Sequence, residues 1–114
     1  MTLRFVVVAG PANSGKMPLA RRLMAEDPSL ALVHRDDLRR DLSAKLDEWH
    51  VTLVMAAVAR CLLGLGRNVI VCAWNMDPLD RRVWDGLAAE HSADLEWFDV
   101  RQPEVAALIP PLAA

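Results

Sequence analysis

The sequence has no tyrosine, two phenylalanines and two cysteines in 114 residues. Two cysteines cannot build the disulfide framework that staples small secreted domains. Both, Cys61 and Cys72, lie in apolar runs and read as reduced core thiols of a cytoplasmic protein. A dominant charge is also missing: thirteen Lys+Arg against fifteen Asp+Glu give a net charge of −2. That balance does not favour a nucleic-acid partner, which calls for a basic groove. No apolar run approaches the roughly 20 residues that cross a bilayer. The longest, Val51 to Ala59, is broken by Arg60 and reads as a buried helix, so no membrane partner is expected. The run Phe5 to Ala9 has no cationic region before it and no cleavage site after it, so no secretory signal is expected of it. Three scattered histidines and no zinc-type Cys/His spacing give no side-chain metal site.

Hydrophobic residues are abundant, at 54%, and charged residues make up 25%. A chain of this length and composition buries a core of its own, so residues 1–114 read as a single domain. Eleven of the thirteen basic residues are arginine, and alanine is common. That skew is the mark of a G+C-rich coding source, not of a function.

Leu3 to Ala9 is β-branched and almost continuously apolar, as a strand buried on both faces should be. A small-residue turn follows, Gly10 to Gly15, and then a helix with Leu19, Ala20, Leu23 and Met24 at helical spacing. Asp27-Pro28 ends it, and Leu30 to Val33 forms a second strand. Asp36 is placed to cap the next helix. Ala44 to Leu65 reads as one long helix closed by Gly64 and Gly66. Asn68 to Ala73 is the third strand. Asp77-Pro78 starts a helix whose apolar face is Leu79, Val83, Trp84 and Leu87. Leu95 to Val100 is the fourth strand, and Pro103 opens a short final helix. Strands alternating with helices predict an α/β fold with a parallel sheet of about four strands.

The turn between the first strand and the first helix carries a recognisable pattern. Gly10-Pro11-Ala12-Asn13-Ser14-Gly15-Lys16 matches the GxxxxGK of a Walker A phosphate loop. Small residues let the backbone wrap a phosphate with its N–H groups, and the helix N-terminus adds positive potential. Lys16 would reach the outer phosphates, and Asn13 suits a left-handed position. The pattern fails at its last letter. A hydroxyl residue should follow the lysine and hold Mg²⁺. Here Met17 stands there, and a thioether is a poor ligand for a hard cation. Pro18 removes a further N–H from the turn that faces the phosphates.

Three more stretches fall in order behind the loop: His34-Arg35-Asp36-Asp37-Leu38-Arg39, the Asn68–Val71 strand followed by Asn75 to Arg82 (NMDPLDRR), and Phe98-Asp99-Val100. With the loop they resemble the phage polynucleotide kinase-like family of P-loop kinases, the zeta-toxin and AAA-type ATPase-like group. The resemblance implies a P-loop NTPase-like three-layer fold and transfer of the ATP γ-phosphate to a hydroxyl. It implies that Asp36 contacts and activates the acceptor hydroxyl, that Arg39 neutralises an acceptor phosphate and that Lys16 stabilises the transferred group. Gly10, Asn13, Ser14, Gly15, Lys16 and Met17 would line the nucleotide site. Read without the resemblance, Asp36 is a helix cap and Arg39 a partner of nearby aspartates.

The departures from that family are as informative as the matches. Ala73 stands where the family carries a strand-end Asp, and the arginine-bearing lid and later elements of the family are not seen before Ala114. Three readings follow. One is a degenerate, pseudokinase-like protein that binds a partner protein or a phosphorylated ligand. A second is an ATP-binding kinase acting on a polynucleotide or small hydroxyl substrate, with ATP and Mg²⁺ as cofactors. The third is one part of a split or homo-oligomeric enzyme. Trp74, at a strand's carboxyl end, is expected to fill an emptied nucleotide site. A phage or bacterial source goes with the resemblance.

Overall fold

A computed structural model describes residues 2–42 and 46–111. Nine elements follow one another: β1 (Arg4–Ala9), α1 (Lys16–Glu26), β2 (Leu30–His34), α2 (Arg35–Asp41), α3 (Glu48–Gly64), β3 (Asn68–Ala73), α4 (Pro78–Glu90), β4 (Asp94–Asp99) and α5 (Pro103–Ala106). The four strands form one parallel sheet in the order β2-β3-β1-β4. The expected α/β architecture with four parallel strands is therefore present.

The alternation of side chains along each strand divides the core into two layers. Phe5, Val7, Val69 and Val71 point to one face, where Val51, Met55 and Ala59 of α3 and Trp84 and Leu87 of α4 cover them. Val6, Val8, Ile70 and Cys72 point to the other, against Leu19, Ala20 and Leu23 of α1 and Val105 of α5. Both central strands are thus buried on both sides, which explains their unbroken apolar sequence.

Local signals set the helix ends. Asp77 accepts from the Leu79 N–H at 2.8 Å and Pro78 sits in the first turn, so α4 starts where the sequence predicts. The end of α3 is a Schellman turn: Gly66, at φ 78°, donates to Leu63 O and Arg67 to Leu62 O.

Several expectations need correction. The helix expected from Ala44 begins at Glu48, because the Asp47 carboxylate caps it by accepting from His50 N–H at 2.8 Å; Ala44 itself lies outside the described residues. Asp36 is no cap: α2 starts after His34, and Asp36 lies in the first turn. Acidic residues at its start and Arg39 and Arg40 at its end suit the helix dipole. Cys61 is exposed on α3, and only Cys72 is buried. Leu79 is 52% exposed and does not join the buried face of Trp84 and Leu87. Strand boundaries move by one residue: β2 reaches His34 and β4 covers Asp94–Asp99. Among the described residues, no helix is long and apolar enough to cross a membrane.

Candidate functional site

Parallel strands gather their carboxyl ends on one edge of the sheet, and ligands of open α/β folds bind there. At this edge β1 gives way to the Gly10–Gly15 turn. The turn is anchored by Gly10 N–H, which donates to Trp74 O at 3.1 Å. It then needs two left-handed residues, Asn13 at φ 59° and Gly15 at φ 91°. Asn tolerates that region, as the sequence predicts for Asn13, and Gly15 has no side chain to oppose it. Ser14 Oγ is turned inward and donates to Pro11 O at 2.5 Å.

Gly10 has a second reason to be glycine. A Cβ there would overlap Val100 Cγ2 and stand 2.8 Å from Ser14 Oγ. Gly10→Ala is therefore expected to cost about 2 kcal/mol through overpacking, read as a lower thermal midpoint. An unchanged midpoint would mean that Val100 yields without cost. At Gly15 an added Cβ would meet Ile109 Cδ1 at 2.8 Å. The segment after α5 thus packs directly on the loop.

The turn and the start of α1 enclose a cavity of about 290 Å³. Asn13, Ser14, Gly15, Lys16, Met17 and Pro18 form one wall, and His34 and Asp36 the other. The structure therefore brings Asp36, from α2, into the same cavity as the loop lysine. His34 ends β2, with Nδ1 3.3 Å from an Asp37 carboxylate oxygen and Nε2 3.8 Å from Asp36. Below the cavity, burial pushes the Cys72 thiol up to about 11, against the opposing pull of Lys16. Cys72 is a neutral core thiol.

Other sequence candidates lie apart. Gly10 shapes the turn from beneath, in contact with Val100. The Arg39 guanidinium pairs with Glu48 at the start of α3. Ala73 is 2% exposed and packs in the α3/α4 core layer. Trp74 does not enter the loop cavity. It lines a neighbouring one of about 500 Å³ with Trp49, Leu79 and other residues of α3 and α4. Two features escaped the sequence reading: His34 as a cavity wall, and the tryptophan-lined cavity itself. His34 was in principle findable, as the last residue of a strand beside the loop. The second cavity depends on how α3 lies against α4, which no local pattern encodes.

The residues present fit a phosphate group but not its usual metal. Two left-handed residues, a helix start and Lys16 make a cradle for an anion. Magnesium demands hard oxygen ligands in near-octahedral geometry. The position after Lys16 offers the Met17 thioether in place of a hydroxyl, and Asp36 is the carboxylate that lines the same cavity.

The profile of the AAA domain family matches residues 5–107. A chain of the Pnkp1/Rnl/Hen1 complex superposes with a TM-score of 0.75 at 21% identity, over 99% of this chain and 41% of that one. The Mycobacterium tuberculosis APS kinase CysC, in complex with AMPPNP and APS, gives 0.70 at 22% identity, over 96% and 69%. A putative kinase from Chloroflexus aurantiacus gives 0.71 at 16% identity, over 86% and 59%. The chain spans about two fifths of the first of these structures and three fifths of the last. At these identities the likeness is one of fold: a P-loop kinase-like α/β sheet.

Proposed function

The chain belongs to the AAA domain family, and from that premise we propose that it is a P-loop module that binds a phosphorylated ligand without effective use of Mg²⁺. The observation that carries this reading is the composition of the first turn of α1. The anion cradle and Lys16 are kept, while Met17 and Pro18 remove a metal ligand and a backbone donor from the same turn. Ala73 adds no carboxylate at the end of β3.

Phosphoryl transfer is mostly positioning and charge stabilisation. A site that has lost one stabilising donor typically gives up about 2.7–4 kcal/mol of transition-state stabilisation. On this reading binding outlives catalysis. Phosphorylated small molecules, ATP among them, are the ligand class; a partner protein could equally present the phosphate.

Calorimetric titration with ATP tests the proposal. Weak binding is expected, with an affinity that changes less than threefold when Mg²⁺ is added. Lys16→Ala should weaken it about tenfold, the worth of one charge-assisted contact. Micromolar, Mg²⁺-dependent binding would overturn the reading.

One observation favours an active kinase as the second reading. Asp36 lines the cavity opposite Lys16, where a carboxylate can accept the proton of an acceptor hydroxyl. Release of γ-phosphate to a hydroxyl acceptor, abolished in Asp36→Asn, would establish it over the first.

A further inference from the structure

The cavity beside the phosphate loop has a chemistry of its own. Six large apolar side chains stand out as exposed among the described residues, and three of them, Trp49, Trp74 and Leu79, line this one concavity. Exposed apolar area gathered into a hollow, not scattered, marks a ligand surface. Trp49 comes from the first turn of α3 and Trp74 from the loop after β3.

The charged groups on its walls are unequal in availability. Arg35 contributes the one cation among the lining residues, and its donors are already engaged. Nη2 donates to Glu48 O at 2.6 Å and to Glu48 Oε2 at 2.5 Å, and Nη1 donates to Thr52 Oγ1 at 2.9 Å. Arg39 pairs with Glu48 from outside the cavity. That leaves Asp77, the N-cap residue of α4, and Asp80 in its first turn. Asp77 caps its helix, and among the described residues Asp80 accepts one long bond, 3.4 Å, from Thr52 Oγ1. Burial and the neighbouring Asp77 charge both raise the Asp80 carboxyl above its ordinary range, against Arg35 and the Thr52 hydroxyl. Two carboxylates that repel each other are relieved by a cation between them.

We propose that this cavity is a binding site for an organic cation: an ammonium group on a flat or compact apolar body, held by the faces of Trp49 and Trp74 and by the carboxylates of Asp77 and Asp80. Indole faces attract cations through the ring quadrupole, most strongly when water is excluded. At about 500 Å³ the hollow suits a small molecule. An anionic or nucleotide ligand would bring its negative charge to the two aspartates. The inference does not rest on the phosphate-loop reading, since the two cavities share no lining residue.

The test is a titration of the Lys16→Ala protein, in which binding at the phosphate loop is weakened, read by tryptophan fluorescence and calorimetry. Benzyltrimethylammonium is the probe, with benzyl alcohol, benzoate and adenosine monophosphate as controls. Saturable binding of the cation is expected, at least tenfold tighter than any control. Asp80→Asn and Trp74→Leu should each weaken it about tenfold. Trp74 is 47% exposed, so its replacement leaves the core intact. Should circular dichroism show that variant unfolded, Trp49→Leu and Asp80→Asn carry the comparison. Equal binding of benzyl alcohol, tighter binding of benzoate or the nucleotide, or no response to the substitutions would each overturn the proposal. Loss of ATP binding in Lys16→Ala with cation binding kept would separate the two sites.

Discussion

Asn75→Ala is expected to lower the free energy of unfolding by about 3 kcal/mol, read from urea denaturation. Asn75 is 3% exposed and sits just past β3 in left-handed geometry, φ 52°. Its amide joins two elements. Nδ2 donates to Val8 O at 3.1 Å, inside β1, and Oδ1 accepts from Trp84 Nε1 at 2.8 Å. Trp84 is wholly buried on α4, with its ring edge-to-face on Phe5 at 6.0 Å between centroids. Truncation strands the buried Trp84 indole N–H, at about 1–3 kcal/mol, and removes a second donor from Val8 O, which keeps its place in the ladder of the central strand. Alanine also accepts the left-handed region less readily than asparagine. Domains have only about 5–15 kcal/mol in hand, so the variant should sit near the edge of folding. A cost for Asn75→Ala below about 1 kcal/mol would mean that water enters and replaces both bonds.

That residue also shows how a resemblance and a physical role coincide. Asn75 belongs to the N-x-x-P-x-x-R-R stretch that linked the sequence to P-loop kinases. In the structure its amide is spent on tying β1 to α4 behind the loop. Of the arginines in the stretch, Arg81 lies over the Trp97 ring at 4.4 Å, a packing contact on the α4/β4 side.

The order of elements was legible because each signal was local. Buried parallel strands write unbroken apolar runs, as in Phe5–Ala9 and Asn68–Ala73. The Asp77-Pro78 start of α4 is a two-residue code, and it held. The loop geometry was legible for the same reason: Asn13 and Gly15 stand where a left-handed backbone needs them. Failures came where tertiary contacts decide. Asp36 has the residue type of a cap, but β2 continues through His34 and the helix begins directly at Arg35, two residues earlier than an Asp36 cap requires, which puts Asp36 in the first turn. Cys61 lies in an apolar run, yet the helical period turns it to solvent between buried Ala59 and Leu63. Trp74 follows a strand end beside the loop, but its side chain leans toward α3 and α4, into the second cavity. One-dimensional spacing cannot choose between two hollows on the same sheet edge.

Restoring the loop is the second large effect. Met17→Ser with Pro18→Thr should raise ATP affinity about 100-fold in the presence of Mg²⁺, and about tenfold in the presence of a chelator, where only the regained N–H acts. A serine at position 17 returns a hydroxyl ligand suited to a hard cation, and residue 18 regains a backbone N–H in the first turn. Each is a charge-assisted contact worth about 1.5–3 kcal/mol, and the product of two accounts for the magnitude. The helix itself should tolerate the change. The first intrahelical bond of α1 is Leu19 N–H to Gly15 O, so Pro18 deprives the helix of nothing. Met17 is half-buried against the α1/α5 core layer, so about 1 kcal/mol of apolar burial is given up. Ala73→Asp, which the family pattern invites, is best left out. Ala73 packs among Val33, Val71 and Trp84, and a carboxylate there would lose its hydration without a cation to offset it. A repaired loop that binds ATP no better with Mg²⁺ than without it would show that Met17 does not stand at the metal-ligand position. The weak metal dependence expected of the native chain would then need another cause. A gain about tenfold larger with Mg²⁺ than without it would locate that cause in Met17, one residue of the first helical turn.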